Sequence, residues 1–164
     1  MVVYTKNTQM SKQVKKPKFK LSEADFLKMI LEIFEGDPNI LLWRQNTGTF
    51  PLANRDGTTR MFRAGQKGAA DITGIIKEYR CGYCNRLQQG IRIEIEVKGT
   101  DGKLSDHQNE WLDNISEYNA ICVAIWPEEN DMLPTGFLRQ RLEHAIWQQC
   151  PECYKKQGKQ NVRT

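Results

Sequence analysis

Read as two neighbouring strands, two stretches of this chain bring an Asp, a Glu and a Lys together. Asp71 interrupts the small, apolar run Gly68-Ala69-Ala70-Asp71-Ile72-Thr73-Gly74-Ile75-Ile76. An acid inside a buried strand is costly unless a cation or a donor compensates it, so something positive is expected opposite it. From Ile91 to Lys98, the residues Ile91, Ile93, Ile95 and Val97 alternate with Arg92, Glu94, Glu96 and Lys98, the period of a half-buried strand. Glu96 and Lys98 therefore share a face, about 6.6 Å apart at a rise of roughly 3.3 Å per residue. An Asp and a Glu on neighbouring strands offer the hard oxygen ligands that Mg²⁺ or Mn²⁺ prefers. A lysine beside them can orient or deprotonate a water, or neutralise charge on a phosphorane-like transition state. Together the three suit hydrolysis of a phosphodiester. The plain alternative is an exposed strand on which Glu96 and Lys98 form a charge ladder, with Asp71 in a turn.

The elements that position these residues follow from periodicity and caps. The Asp71 and Glu96 strands, separated by a loop over Lys77 to Gly90, predict an antiparallel hairpin. Ser105 with Gln108 predicts a capping box that opens a helix, with Leu104, Trp111, Leu112 and Ile115 facing the core and an end near Tyr118-Asn119. The continuous apolar run Ala120 to Trp126 predicts a strand buried on both faces, parallel to the Glu96 strand. Ahead of the hairpin, Ser22 and Asp25 open a helix over about Glu23 to Glu35. Ile40 to Trp43 reads as a short buried strand ending in Arg44-Gln45-Asn46. Thr47 to Lys67 reads as a loop holding a small hairpin that turns at Asp56-Gly57. Its Arg55, Arg60, Arg63 and Lys67 either grip phosphates or solvate a long loop. Phe137, Leu138, Leu142, Ala145 and Ile146 mark a last helix.

With 164 residues, 39% of them apolar and 27% charged, one soluble domain suffices. The formal charge of +4 is concentrated at the ends. Lys6, Lys12, Lys15, Lys16, Lys18 and Lys20 come with no acid among them, and Lys155, Lys156, Lys159 and Arg163 follow the last helix. Such arms suit a phosphate backbone or are simply solvated tails. The expected division is a basic, disordered arm over 1–20, a folded domain over 21–149, and a cysteine pair with a basic tail over 150–164. No stretch approaches a membrane span and none reads as a signal peptide, so a cytoplasmic protein without membrane contact is expected.

Cys81-x-x-Cys84 and Cys150-x-x-Cys153 are two knuckle-like pairs. In a cytosolic setting they predict a Cys₄ zinc site, provided the last helix returns its end to the hairpin loop; unligated thiols are the alternative. Cys122 belongs to the core, and His107 and His144 are helix-surface positions.

The order helix, strand, acid-bearing strand, Glu-x-Lys strand, helix, buried strand carries four motifs: Trp43-Arg44-Gln45-Asn46-Thr47-Gly48, Lys67-Gly68-Ala69-Ala70-Asp71-Ile72-Thr73-Gly74, Ile95-Glu96-Val97-Lys98-Gly99 and Leu104-Ser105-Asp106-His107-Gln108. In these it resembles the VRR-NUC branch of the PD-(D/E)xK nucleases over about Leu21 to Trp126. The resemblance implies an α/β, restriction endonuclease-like core, a mixed four-stranded sheet flanked by helices in the order αβββαβ. It implies a metal-dependent DNA endonuclease of phage or bacterial replication, repair or recombination. Asp71 and Glu96 would ligate Mg²⁺ or Mn²⁺, Lys98 would act on the water, Gln108 would support the site and Glu23 would add an acid. Gln108 is equally the N3 half of a cap, and Glu23 is favoured in a first helical turn in any case. Ala70 departs from the Pro of the superfamily motif. Arg44, Asn46, Arg60, Arg63 and Lys67 are expected on DNA, whether branched, single-stranded or duplex. A homodimer would be needed to cut both strands of a junction symmetrically. The competing class is a non-catalytic, zinc-stabilised nucleic-acid-binding protein on the same fold.

Overall fold

Isoleucine at every second position places one strand, β6 (Leu87–Val97), at the centre of a five-stranded sheet. The computed structural model describes residues 2–5, 19–81, 84–132 and 136–147. Across the sheet the order is β1 (Val2–Thr5), β7 (Ile121–Ile125), β6, β5 (Ile72–Arg80) and β2 (Ile40–Arg44). As the spacing predicts, β5 is antiparallel to β6 and β7 is parallel to it, with α2 (Asp106–Glu117) making the crossover. Helices α1 (Glu23–Ile33) and α3 (Phe137–Trp147) complete a mixed α/β arrangement.

The two faces of the sheet carry different cores. Ile72, Ile76, Ile91, Ile93, Ile95, Val97, Ile121, Val123 and Ile125 pack with Phe26 and Ile30 of α1 and Leu138, Leu142 and Ile146 of α3. Each such side chain contributes about 1.5–3 kcal/mol when fully buried. On the opposite face Ala70, Cys122, Ala124 and Trp126 pack beneath Leu112 of α2. That helix covers β6 and β7, leaving Leu41, Trp43 and Ile75 exposed, so β2 is not the buried strand expected: only Ile40 of this edge strand is buried.

Three further expectations need correction. The first is the N-terminal arm: Val2–Thr5 is not part of it but pairs in parallel with β7, Val2 opposite Cys122. Without β1 the apolar β7 would be an edge with unpaired main-chain groups. Residues 6–18, which hold most of that arm, lie outside the described residues. Second, the loop over Lys77 to Gly90 is much shorter, because β5 runs on to Arg80 and β6 starts at Leu87. Tyr79 explains the extension: it is buried, stacks on Trp147 at 5.0 Å between centroids, and donates its hydroxyl to the Trp147 carbonyl at 3.1 Å. Third, α1 ends at Ile33 rather than Glu35, and its last turn unwinds into Gly36 at φ 72°.

Outside the sheet, β3 (Gly48–Ala53) and β4 (Thr59–Ala64) form a separate antiparallel ribbon, with Asp56-Gly57 in its turn as expected. The turn is closed by Asn54 N–H on the Thr58 carbonyl at 2.8 Å and by Thr58 N–H on Asp56 Oδ1 at 2.9 Å.

Candidate active site

Pairing register brings the two acids together. Ile72 lies opposite Ile95 in an antiparallel ladder, so the next pair outward sets Asp71 across from Glu96. The Val97 N–H donates to Asp71 Oδ2 at 2.9 Å, and the Gln45 N–H donates to the Asp71 carbonyl at 2.8 Å. Within the chain, the compensation expected for Asp71 includes a main-chain donor, and the carboxylate is half-buried.

Glu96 is fully buried under the first turn of α2. Its Oε1 receives the Lys98 ammonium at 2.6 Å and the Gln108 side-chain amide. Its Oε2 is buried and has no hydrogen-bond partner among the described residues. Burial pushes this carboxyl up to about 8; the Asp71 charge adds to the shift, the Lys98 hydrogen bond and charge oppose it, and Glu23 adds again. Lys98 is buried with it, on the same side, and its backbone N–H is held by the Ile125 carbonyl at 3.0 Å.

Glu23 and Gln108 each stand in the first turn of a helix and also near the Glu96–Lys98 pair. Glu23 opens α1 behind the Ser22 cap, and its Oε2 stands 4.0 Å from Lys98 Nζ. The Leu21 N–H bonds Thr100 Oγ1 at 3.1 Å, which ties the start of α1 to the loop after Lys98. Gln108 completes the capping box, its Oε1 accepting from the Ser105 N–H at 2.9 Å, while its Nε2 reaches Glu96.

Arg44 and Asn46 line a cavity of about 370 Å³ together with Gln45, Thr47, Phe50 and Asp71. Arg60 and Lys67 are exposed and do not line it: Arg60 is on the ribbon and Lys67 in the turn leading to Asp71. Arg63 is the register partner of Thr49. Two further residues belong to the area. Gln45, whose Oε1 is buried without a hydrogen-bond partner among the described residues, sits on that cavity. Glu94 is the second fully buried carboxylate on the Glu96 face of β6, bonded by Thr73 Oγ1 at 2.8 Å, Arg92 Nε at 2.7 Å and Trp111 Nε1 at 3.3 Å. Alternation alone marks Glu94 and Glu96 alike. Only the third dimension separates the one with a complete set of donors from the one with a bare oxygen.

At the hairpin tip Cys81 is buried and Cys84 exposed, and the Cys84 N–H points to Cys81 Sγ at 3.3 Å. Cys150 and Cys153 lie outside the described residues. Among the described residues no group of three or more His, Cys, Asp and Glu side chains comes together as a metal cage, and no helix is long and apolar enough to cross a membrane. Compared with known proteins, the chain matches no family model, no curated protein and no solved structure.

Proposed function

We propose that the chain is a metal-dependent phosphodiesterase acting on DNA, with a restriction endonuclease-like core of the VRR-NUC kind. The observation that carries this reading is Glu96: a buried carboxylate with one oxygen fixed by Lys98 and Gln108 and the other bare, directly across the ladder from Asp71. Two carboxylates without a full protein cage fit Mg²⁺, which keeps waters and takes phosphate oxygens for its remaining positions. Asp71 and Glu96 would hold the ion. When bound, it would supply positive charge to the scissile phosphate and lower the pKa of the attacking water.

The residues themselves do the rest. Val97 N–H fixes Asp71, and Gln108 fixes Glu96, so neither acid reorganises on loading. The Lys98 ammonium has three donors and spends one on Glu96. With Glu23 Oε2 4.0 Å away, the others would serve the attacking water or a non-bridging oxygen, where negative charge grows as the new P–O bond forms and the old one breaks. Arg44 and Asn46 line the same cavity as Asp71, which supports giving them the flanking phosphates.

The test is Mg²⁺- or Mn²⁺-dependent cleavage of single-stranded, duplex and branched DNA by wild type and Asp71→Ala. Cleavage by wild type alone is expected. Two equally inert proteins that still bind DNA would replace this reading with the non-catalytic one. The zinc clamp is part of the same proposal. Its support is that Trp147, three positions before Cys150, stacks on Tyr79, two positions before Cys81. Metal analysis should find about one zinc per chain.

A further inference from the structure

Among the described residues, the ribbon keeps no core for itself. Every described position from Thr49 to Phe62 except Asn54 is exposed, including Phe50 at 45%, Leu52 at 39%, Met61 at 65% and Phe62 at 50%. An isolated two-stranded ribbon is marginally stable, and contiguous exposed apolar side chains on a soluble domain mark a binding surface. Register gives the surface its form. Phe50 lies opposite Phe62, and Leu52 opposite Arg60. These two pairs are two residues apart on each strand, so they share one face of the ribbon. Its charge is one-sided: between positions 48 and 67 stand Arg55, Arg60, Arg63 and Lys67 against the single acid Asp56. That acid is taken up by Thr58, through the N–H at 2.9 Å and the hydroxyl at 2.6 Å. The face also runs into the active site, for Phe50 lines the cavity that holds Arg44 and Asp71.

Aromatic rings flanked by cations are what unpaired bases need, because each base has a π-face to stack and a phosphate to neutralise. Stacked duplex bases present only their edges and backbone. We infer that the Phe50–Phe62 face of the ribbon is a stacking platform for unpaired bases of a DNA strand whose neighbouring phosphate lies at Asp71 and Glu96. The substrate class is then DNA with a single-stranded segment at the cut, a flap, a splayed end or a single strand. This rests on the proposed nuclease reading and narrows it.

The test measures binding without turnover, in the full chain carrying Asp71→Ala, with fluorescein-labelled single-stranded and duplex DNA of one sequence in EDTA. The double variant Phe50→Ala/Phe62→Ala should weaken single-strand binding by about tenfold or more, given 1–3 kcal/mol per stacked base. Duplex binding should stay within about twofold. Phe62→Tyr should restore affinity, while Arg60→Ala should lower the salt dependence of both DNAs. Equal losses on the two DNAs, or none on either, would overturn the platform and leave the nuclease reading standing on wild-type cleavage. A wild-type protein that neither binds nor cuts any of the DNAs would overturn both.

Discussion

Gln108 bonds Glu96 with one end of its amide and closes the cap of its own helix with the other. A single side chain thus locks the start of α2 to the acid beneath it. The two tasks separate by substitution. Gln108→Glu keeps the oxygen that accepts from Ser105 but loses the donor to Glu96, whereas Gln108→Ala loses both. Both variants should lower cleavage by about 10- to 100-fold, the usual loss when a group supporting a metal ligand is removed. Only Gln108→Ala should also lose about 1 kcal/mol of stability in urea melts at pH 6.

Glu96 makes the metal-free protein sensitive to pH in a definite direction. Its folded-state carboxyl titrates near 8, against 4.5 when unperturbed. The folded chain therefore holds a proton that the unfolded chain has released. The stability it confers is full below about 4.5 and is lost as pH rises to about 8, with a slope of up to about 1.4 kcal/mol per pH unit. Thermal melts in EDTA across pH 5–8 should show this fall in wild type and a flatter profile in Glu96→Gln. Because a bound cation needs the ionised carboxylate, Mg²⁺ binding at pH 7 should release close to one proton, measured in buffers of different ionisation heat.

The two buried acids of β6 should behave differently. Glu96→Gln should abolish Mg²⁺-dependent cleavage. Glu94→Gln should leave it within about tenfold, since the Thr73, Arg92 and Trp111 donors make Glu94 part of the packing. Arg92→Ala should cost about 2 kcal/mol or more by stranding the buried Glu94 charge, while Mg²⁺ affinity by calorimetry stays near wild type. Loss of Mg²⁺ binding in Glu94→Gln with a native melt would reverse the two assignments.

Gly68 allows the loop carrying Asp71 to lie against α2. Its φ is +84°, and a Cβ there would overlap the His107 carbonyl. Gly68→Ala should destabilise by about 1–3 kcal/mol and reduce cleavage beyond what unfolding explains, because the loop and the first turn of α2 can no longer both keep their places. Activity compared at temperatures well below the melting point separates the two effects.

The parts of this fold legible in the sequence are those with a local period. Ile91 to Val97 gave its faces through alternation, Ala120 to Trp126 its burial through continuity, and Ser105 with Gln108 its helix start through the cap. β1 was hidden because its partner, β7, lies more than a hundred residues away, and four β-prone residues amid lysines carry no period of their own. The length of the β5–β6 hairpin was hidden for a related reason. Tyr79 extends it by packing on Trp147, a contact across 68 positions. At the candidate site, type and spacing already put Glu96 and Lys98 on one face and Asp71 on the neighbouring strand, as the pairing has them. The Gln108 bond to Glu96 and the Trp111 bond to Glu94 depend on α2 lying over them, and no spacing along β6 encodes that.

The pairing of Ile72 with Ile95 reaches beyond the core. A strand offset by a single step would turn Ile93 and Ile95 toward α2 and drive Glu94 and Glu96 into the oily layer under α1 and α3. Such a misaligned hairpin would forfeit its greasy contacts and strand two charges at once. The isoleucines that make the molecule cohere are thus also the proofreaders of its two acids: a chain that folds at all has already turned Glu94 and Glu96 to the side that α2 covers.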